Sequence, residues 1–194
     1  MDKEAILMAL TQGEEATLDD VLINREQRQY RERQWLQHAP TQTLVVLKLN
    51  TPGPIKANAL LSQISAQNEA TFMKRLLDQG VVVQKHQRFD QKTGVENFWL
   101  LDTPDALEIK RLTTAIESAS FYGRLADFDV YRYRNGQVEA IKRTQLNLPV
   151  RQCYVCKQPA AVCGRTRRHS VAVLLQTLAE KLCEESHHSS TIEG

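Results

Sequence analysis

The sequence predicts an α+β fold: a single domain over residues 1–183, built on a mixed sheet with flanking helices and closed by a C-terminal Cys/Arg-rich loop and a last helix. Three observations predict it. Short apolar or alternating runs with turn residues at their ends occur at 43–49, 81–101 and 123–144. Two stretches between them, 55–79 and 104–119, carry apolar residues at helical spacing. No repeat and no Gly/Pro/Ser-rich linker divides the 194 residues, and 42% hydrophobic composition suffices for one good core.

Taken in order, the first sixteen residues are expected to fray or to dock as an arm. Thr17 with Asp20 three residues on is a helix-start pattern, and Asn24 with Gln27 repeats it for a second helix reaching residue 38. That helix is mostly polar, a solvated helix anchored by Tyr30, Trp35 and Leu36. The run 43–49 is β-branched and apolar, bounded by Pro40 and by Asn50-Thr51-Pro52-Gly53-Pro54, and reads as a buried strand. The prolines lead into a long helix headed by Lys56, with Leu61, Ile64, Phe72 and Leu76 on one side and Gly80 at its end. Residues 81–89 and 95–101 make a hairpin, and His86 within it is read as a structural hydrogen-bonding residue. Thr103-Pro104 opens a helix with Ile109, Leu112 and Ile116 inward. A final helix from Ser170 buries Leu174, Leu178 and Leu182, and residues 184–194, without a core pattern, are expected to be a disordered tail.

Asn135-Gly136 closes a second hairpin with a two-residue type I′ turn. In that register Arg134 faces Gln137, Arg132 faces Glu139, Val130 faces Ile141, Asp129 faces Lys142 and Asp127 faces Thr144. Side chains two apart share a face, so Phe128, Val130 and Ile141 enter the core while Asp127, Asp129, Tyr131 and Tyr133 turn toward a cleft. Two carboxylates about 7 Å apart along a strand suit a hard cation such as Mg²⁺, which brings phosphates with it. The pair therefore points to metal-dependent phosphoryl or nucleotidyl transfer on a nucleotidyltransferase-like sheet, with a solvated strand face as the other reading. Glu139 falls on the core side, so a third carboxylate ligand has to come from outside the hairpin.

No Asp or Glu occurs between Glu139 and Glu180, and that segment carries Lys142, Arg143, Arg151, Lys157, Arg165, Arg167 and Arg168. Such a field suits a polyphosphate, a nucleic acid or an acidic protein, or is simply a solvated basic surface. Within it, Cys153, Cys156, Cys163 and His169 offer the three thiolates and one imidazole of a tetrahedral structural Zn²⁺ site; a small buried thiol cluster is the alternative. A metal there would hold Arg165, Arg167, Arg168 and His169 over the aspartate face. Planar guanidinium groups grip two phosphate oxygens at once, which makes Arg124, Arg165 and Arg168 candidate phosphate contacts.

Three ordered motifs carry a family resemblance: Pro52-Gly53-Pro54-Ile55-Lys56, Gly123-Arg124-Leu125-x-Asp127-x-Asp129-Val130, and the stretch from Arg151 through Cys153, Cys156, Cys163 and Arg165 to His169. Between about Leu18 and Leu182 the chain resembles the apo-citrate lyase phosphoribosyl-dephospho-CoA transferases, the synthases of the holo acyl carrier subunit of citrate lyase. It departs from them at residues 119–122, where His and Pro are more frequent. The resemblance implies transfer of the 2′-(5″-triphosphoribosyl)-3′-dephospho-CoA group to a serine of the apo acyl carrier subunit, with pyrophosphate leaving. It further implies Asp127, Asp129 and Arg124 as catalytic residues, Mg²⁺ on the two aspartates, and Lys56, Arg165, Arg168 and His169 as contacts to the triphosphoribosyl-dephospho-CoA. The same chemistry on the malonate decarboxylase carrier protein is a variant of this reading.

A zinc-knuckle nucleic-acid-binding module is the competing class. It needs an aromatic stacking surface, and the basic segment contains one aromatic residue, Tyr154, so the enzyme is favoured and nucleic acid is not expected as a partner. No apolar run approaches a membrane span and no basic-then-apolar leader opens the chain, which predicts a cytoplasmic protein with no membrane partner and with cysteines kept as thiols or ligands.

Overall fold

The computed structural model of the protein describes residues 1–190. At its centre is a five-stranded sheet in the order β2-β3-β1-β4-β5, formed by β1 (Thr43–Leu49), β2 (Val83–Gln91), β3 (Gly94–Leu101), β4 (Ala126–Arg134) and β5 (Gln137–Ala140). The α+β class is as expected, but every pairing is antiparallel, so the sheet is not mixed. β3 and β4 run the same way; β1 lies between them and pairs with both, which prevents a parallel ladder.

Helices α3 (Ala59–Asp78) and α4 (Ala106–Ala119) cover one face, where Phe72, Leu76, Ile109 and Ile116 pack on Val45, Leu47, Trp99, Phe128 and Val130. Helix α2 (Leu18–His38) covers the other, with Leu36 and Trp35 against Leu44, Val46, Phe98 and Leu100. Strand β1 is thus buried on both sides, which is why it reads as a continuous apolar run rather than an alternating one. A third cluster joins α1 (Lys3–Thr11) to α7 (Val171–Ser190) through Ile6, Leu10, Leu178 and Leu182.

Several boundaries differ from the sequence expectation. The predicted pair of helices before residue 38 is one helix, because no breaker interrupts it. The capping box at Thr17 and Asp20 forms, but Asn24 donates to the buried Glu96 carboxylate at 2.9 Å instead of capping. The first residues dock as α1. Helix α7 continues past residue 184 to Ser190, and Glu185 accepts the Phe121 N–H at 2.7 Å; the remainder of the expected tail, 191–194, lies outside the described residues. Strand β5 stops at Ala140 and a 3-10 turn, Arg143–Leu146, follows, so Lys142 and Thr144 do not pair with the aspartates as the extended register predicts. Helix α3 starts at Ala59 under an Asn58 cap, leaving Lys56 ahead of it. Among the described residues no helix is long and apolar enough to cross a membrane.

Two glycines set the approaches to the site. Gly53 has φ +84, and a Cβ there would lie 3.1 Å from Val171 Cγ1, so the Pro-Gly-Pro turn sits directly on α7. Gly123 lies in the short helix α5 (Phe121–Leu125), pressed on the end of α4: a Cβ would lie 2.2 Å from the Ile116 carbonyl oxygen. Relief would require moving α5, which carries Arg124. Gly123→Ala is therefore expected to lower unfolding stability by about 2 kcal/mol, measured as a reduced urea midpoint; an unchanged midpoint would show that α5 does not depend on this contact.

Candidate active site

The β1–β4 register puts Lys48 directly across from Asp127. Its Nζ lies 2.7 Å from Asp127 Oδ2 and also contacts Asp129 Oδ2, so both carboxylates converge on one cationic atom. All three side chains remain partly exposed, on the α2 side of the sheet, where Glu32 of that helix lies near enough to feel the charges of Asp129 and Lys48. Burial raises the Asp127 carboxyl, but the Lys48 ammonium and Arg151 outweigh it and hold it below the usual carboxylate range. The ammonium is in turn held above its ordinary value by the two aspartates, against the effect of burial. The expected cross-strand partner of Asp129, Lys142, is replaced in this role by Lys48.

Beside the aspartates lies a group of cations around Glu117 of α4, whose side chain is only 1% exposed. Glu117 accepts the Phe128 N–H at 2.9 Å, pairs with Arg151 Nη2 at 2.7 Å and contacts Arg143 Nη2. Arg151 Nη2 also donates to the Ala126 carbonyl at 2.6 Å and lies 3.7 Å from Asp127 Oδ1. Buried Lys110 donates to the Phe128 carbonyl at 2.6 Å. Arg124, on α5, donates through Nη2 to the Gln152 carbonyl, and its guanidinium sits 4.8 Å over the Tyr154 ring. Tyr154 in turn donates to the Asn50 carbonyl at 2.9 Å. Arg124 is thus held by Gln152 and Tyr154 and makes no hydrogen bond or ion pair with Asp127 or Asp129 among the described residues.

Lys56 lies further along, donating to the Thr51 carbonyl at 2.5 Å. With Lys48, Lys92 and the Asn58 cap it lines a cavity of about 430 Å³. On the other side of the Pro-Gly-Pro turn is a second, more apolar cavity of about 490 Å³, walled by Gly53, Tyr154, Gly164, His169 and Leu174. Arg165 and Arg168 are exposed, on and just after α6 (Ala160–Thr166), a helix within the stretch read as loop.

The sulfur ligands do converge. The ligand atoms of Cys153, Cys156, Cys163 and His169 lie within 4.8 Å of one another. Cys156 Sγ is 3.6 Å from Cys163 Sγ and 3.4 Å from His169 Nε2, close to the edges of about 3.8 and 3.5 Å that a tetrahedron with ordinary Zn–S and Zn–N lengths would have. The chain turns back for this at Arg167, in the left-handed region at φ 47. Among the described residues it is the only such group of three or more potential ligands, so the aspartate pair does not gather a third carboxylate by that measure.

Lys48, Glu117, Arg151 and Glu32 are the site residues that the pattern does not assign. Lys48 had a weak signal, as a lone cation in an apolar strand. Arg151 lies in a motif without a role attached to it.

Comparison with known proteins gives the family. The profile of the apo-citrate lyase phosphoribosyl-dephospho-CoA transferase family matches residues 16–185. The chain belongs to this family. A relative of that name from Streptococcus pyogenes is 35% identical over 170 residues, 88% of this chain and 86% of its own. One from Shigella flexneri is 30% identical, over 89% of this chain and 92% of its own. One from Vibrio cholerae is 32% identical, over 84% and 90%. The matched span contains α2 through most of α7, and so all the residues of the candidate site described above.

One carboxyl at the edge of this site titrates unusually. Burial pushes Glu32 up to about 7, with the Tyr131 hydroxyl lowering it in part and the Asp129 charge raising it further. Its native value lies above the ordinary 4.5, so the folded state binds the extra proton and this stabilisation is full below about pH 4.5 and lost as pH rises through 7. Glu32→Gln should therefore raise unfolding stability at pH 8, by on the order of 1–3 kcal/mol, and change it little at pH 4.5. Urea titrations at the two pH values check this; equal shifts at both would mean that Glu32 is not held protonated by the fold.

Proposed function

We propose that the cleft of Lys48, Asp127 and Asp129 transfers the phosphoribosyl-dephospho-CoA group from 2′-(5″-triphosphoribosyl)-3′-dephospho-CoA to a serine of the apo acyl carrier subunit of citrate lyase, with the donor's outer two phosphates released as pyrophosphate. The observation that carries this is the convergence of Asp127 and Asp129 on one cation beside a dense group of guanidinium side chains, in a chain of this transferase family. The serine oxygen bonds to the α-phosphorus, the bond from that phosphorus to the β-phosphate oxygen breaks with its electrons on pyrophosphate, and the serine proton is released. The nucleophile belongs to the carrier, so the enzyme needs to supply positioning and charge rather than a nucleophile of its own.

Asp127 and Asp129 already share one positive partner, so the same oxygens fit Mg²⁺, held beside Lys48 or in exchange for it. When bound there, the ion supplies positive charge at the reacting phosphate. Arg124 approaches from α5, and Lys56, Arg165 and Arg168 are the proposed further contacts to the donor. His169, close to Cys156, contributes through the loop that it helps to hold. Asp127→Asn and Asp129→Asn should each slow transfer at least about 100-fold while the melting temperature moves by only a few degrees. The readout is the mass of apo carrier incubated with enzyme and donor, with the citrate lyase and malonate decarboxylase carriers in parallel. Near-normal labelling by both variants would sink the metal-site reading, and labelling of the decarboxylase carrier alone would change the acceptor.

We also propose that Cys153, Cys156, Cys163 and His169 hold a structural Zn²⁺ in a reducing, cytoplasmic setting, on the strength of the convergence of their ligand atoms within 4.8 Å of one another. Protein purified without chelator should contain about one zinc per chain and lose it, with a fall in melting temperature, in Cys156→Ser. Metal-free protein with an unchanged melting temperature would leave a thiol cluster instead. The nucleic-acid reading is disfavoured, because the lone aromatic of the basic segment, Tyr154, is covered by Arg124.

A further inference from the structure

We infer that Arg124 and Arg151, backed by Arg143, form a pocket for the pyrophosphate that leaves the donor, an assignment that rests on the transfer reaction proposed above. Each guanidinium is engaged through Nη2, Arg124 with the Gln152 carbonyl and Arg151 with Glu117 and the Ala126 carbonyl. The Nη1 of each is buried without a hydrogen-bond partner among the described residues. Buried charged donors are rarely left unmet, since desolvation without a partner is costly. Two such atoms on neighbouring residues therefore mark a missing acceptor.

The local charge gives its sign. Lys48, Lys110, Arg124, Arg143 and Arg151 are gathered around three carboxylates, Glu117, Asp127 and Asp129, an excess of two positive charges among them, with Glu32 at the edge pushed up to about 7 by burial. Burial lowers the Arg124 guanidinium, and Arg151 and Arg143 add to that against the opposing pull of Tyr154 and Glu117. A multiply charged oxyanion relieves both conditions. A diphosphate offers oxygens to two planar forks at once, which a lone carboxylate does not.

The position selects the leaving group. Arg151 lies 3.7 Å from Asp127 Oδ1, so an anion on its free edge abuts the atom where the α-phosphate is handled. Charge grows on the pyrophosphate as the bond to the α-phosphorus breaks, and donors fixed in advance by Glu117 and the Gln152 carbonyl meet it without reorganising. Arg151 acts here as a phosphate contact that its ion pair with Glu117 pre-positions.

The test is calorimetric titration of the full chain with inorganic pyrophosphate and, separately, with dephospho-CoA. Arg124→Lys and Arg151→Lys keep the charge but lose the fork, and each should weaken pyrophosphate at least about tenfold while dephospho-CoA binding stays within about twofold. Arg111→Lys, on the exposed face of α4 and paired with Glu108, serves as the control and should bind both ligands as wild type does. Among the described residues Arg124 makes no hydrogen bond or ion pair with Glu117, so its variant still decides the matter if Arg151→Lys misfolds. Wild-type pyrophosphate affinity in Arg124→Lys, or no pyrophosphate binding by the wild type, overturns the pocket. Equal losses for dephospho-CoA would place the donor's internal diphosphate bridge there and overturn the assignment to the leaving group. Failure of the transferase reading has a different trace, apo carriers that keep their original mass with wild-type enzyme, and the titration needs no carrier.

Discussion

The buried carboxylate of Glu117 is the interaction on which the rest of the site depends. It joins four pieces of chain that have no other common partner: α4 that bears it, the Phe128 amide of β4, Arg143 of the 3-10 turn and Arg151 of the segment before the cysteines. Removing one member of such a buried pair leaves a charge without compensation, an effect of about 3–5 kcal/mol. Between residues 147 and 159 there is no helix or strand, so the place of Arg151 beside Asp127 is set by this carboxylate rather than by a regular element. One acid thus both joins helix to sheet and holds a cation beside Asp127.

Much of the frame was legible because its causes are local. The Asn-Gly turn determines its own hairpin register, and Arg134 with Gln137 and Arg132 with Glu139 pair as the turn chemistry requires. The apolar run of β1 and its exit through Pro52-Gly53-Pro54 were equally plain. What failed was long-range. Asn24 matches a cap pattern by composition, yet its partner is Glu96, far along the chain. The hairpin was extended too far because alternation continues past Ala140, whereas the Lys142 amide turns instead to the Gln145 side chain at 2.6 Å.

The same distinction holds within the site. Asp127, Asp129 and Arg124 stood out because they lie close together in sequence and carry a motif. Lys48 and Glu117 did not. A lysine at the end of an apolar strand looks like one that merely reaches water, and an acid beside Ile116 looks like the solvent side of a helix. Only the β1–β4 register and the packing of α4 on β4 reveal both as counter-charges. The four sulfur and imidazole ligands were visible singly, but their meeting depends on α6 and the left-handed turn at Arg167, neither of which a ligand spacing specifies.

The packing of α1 against α7 has a consequence for the order in which the fold can close. Ile6 and Leu10 bury their apolar face in one cluster with Leu178 and Leu182, far along the chain. Lys3 and Glu180 bind across the same seam. α1 also rests on α3, through Leu61 and Ile64 and through the Asn58 side chain, which donates to the Ala9 and Gln12 carbonyls. The seam with α7 is instead a contact of very large sequence separation, whereas the strands of the sheet pair over shorter loops. Folding can therefore complete the sheet and seat α1 on α3 first, and close the shell by docking α7 last.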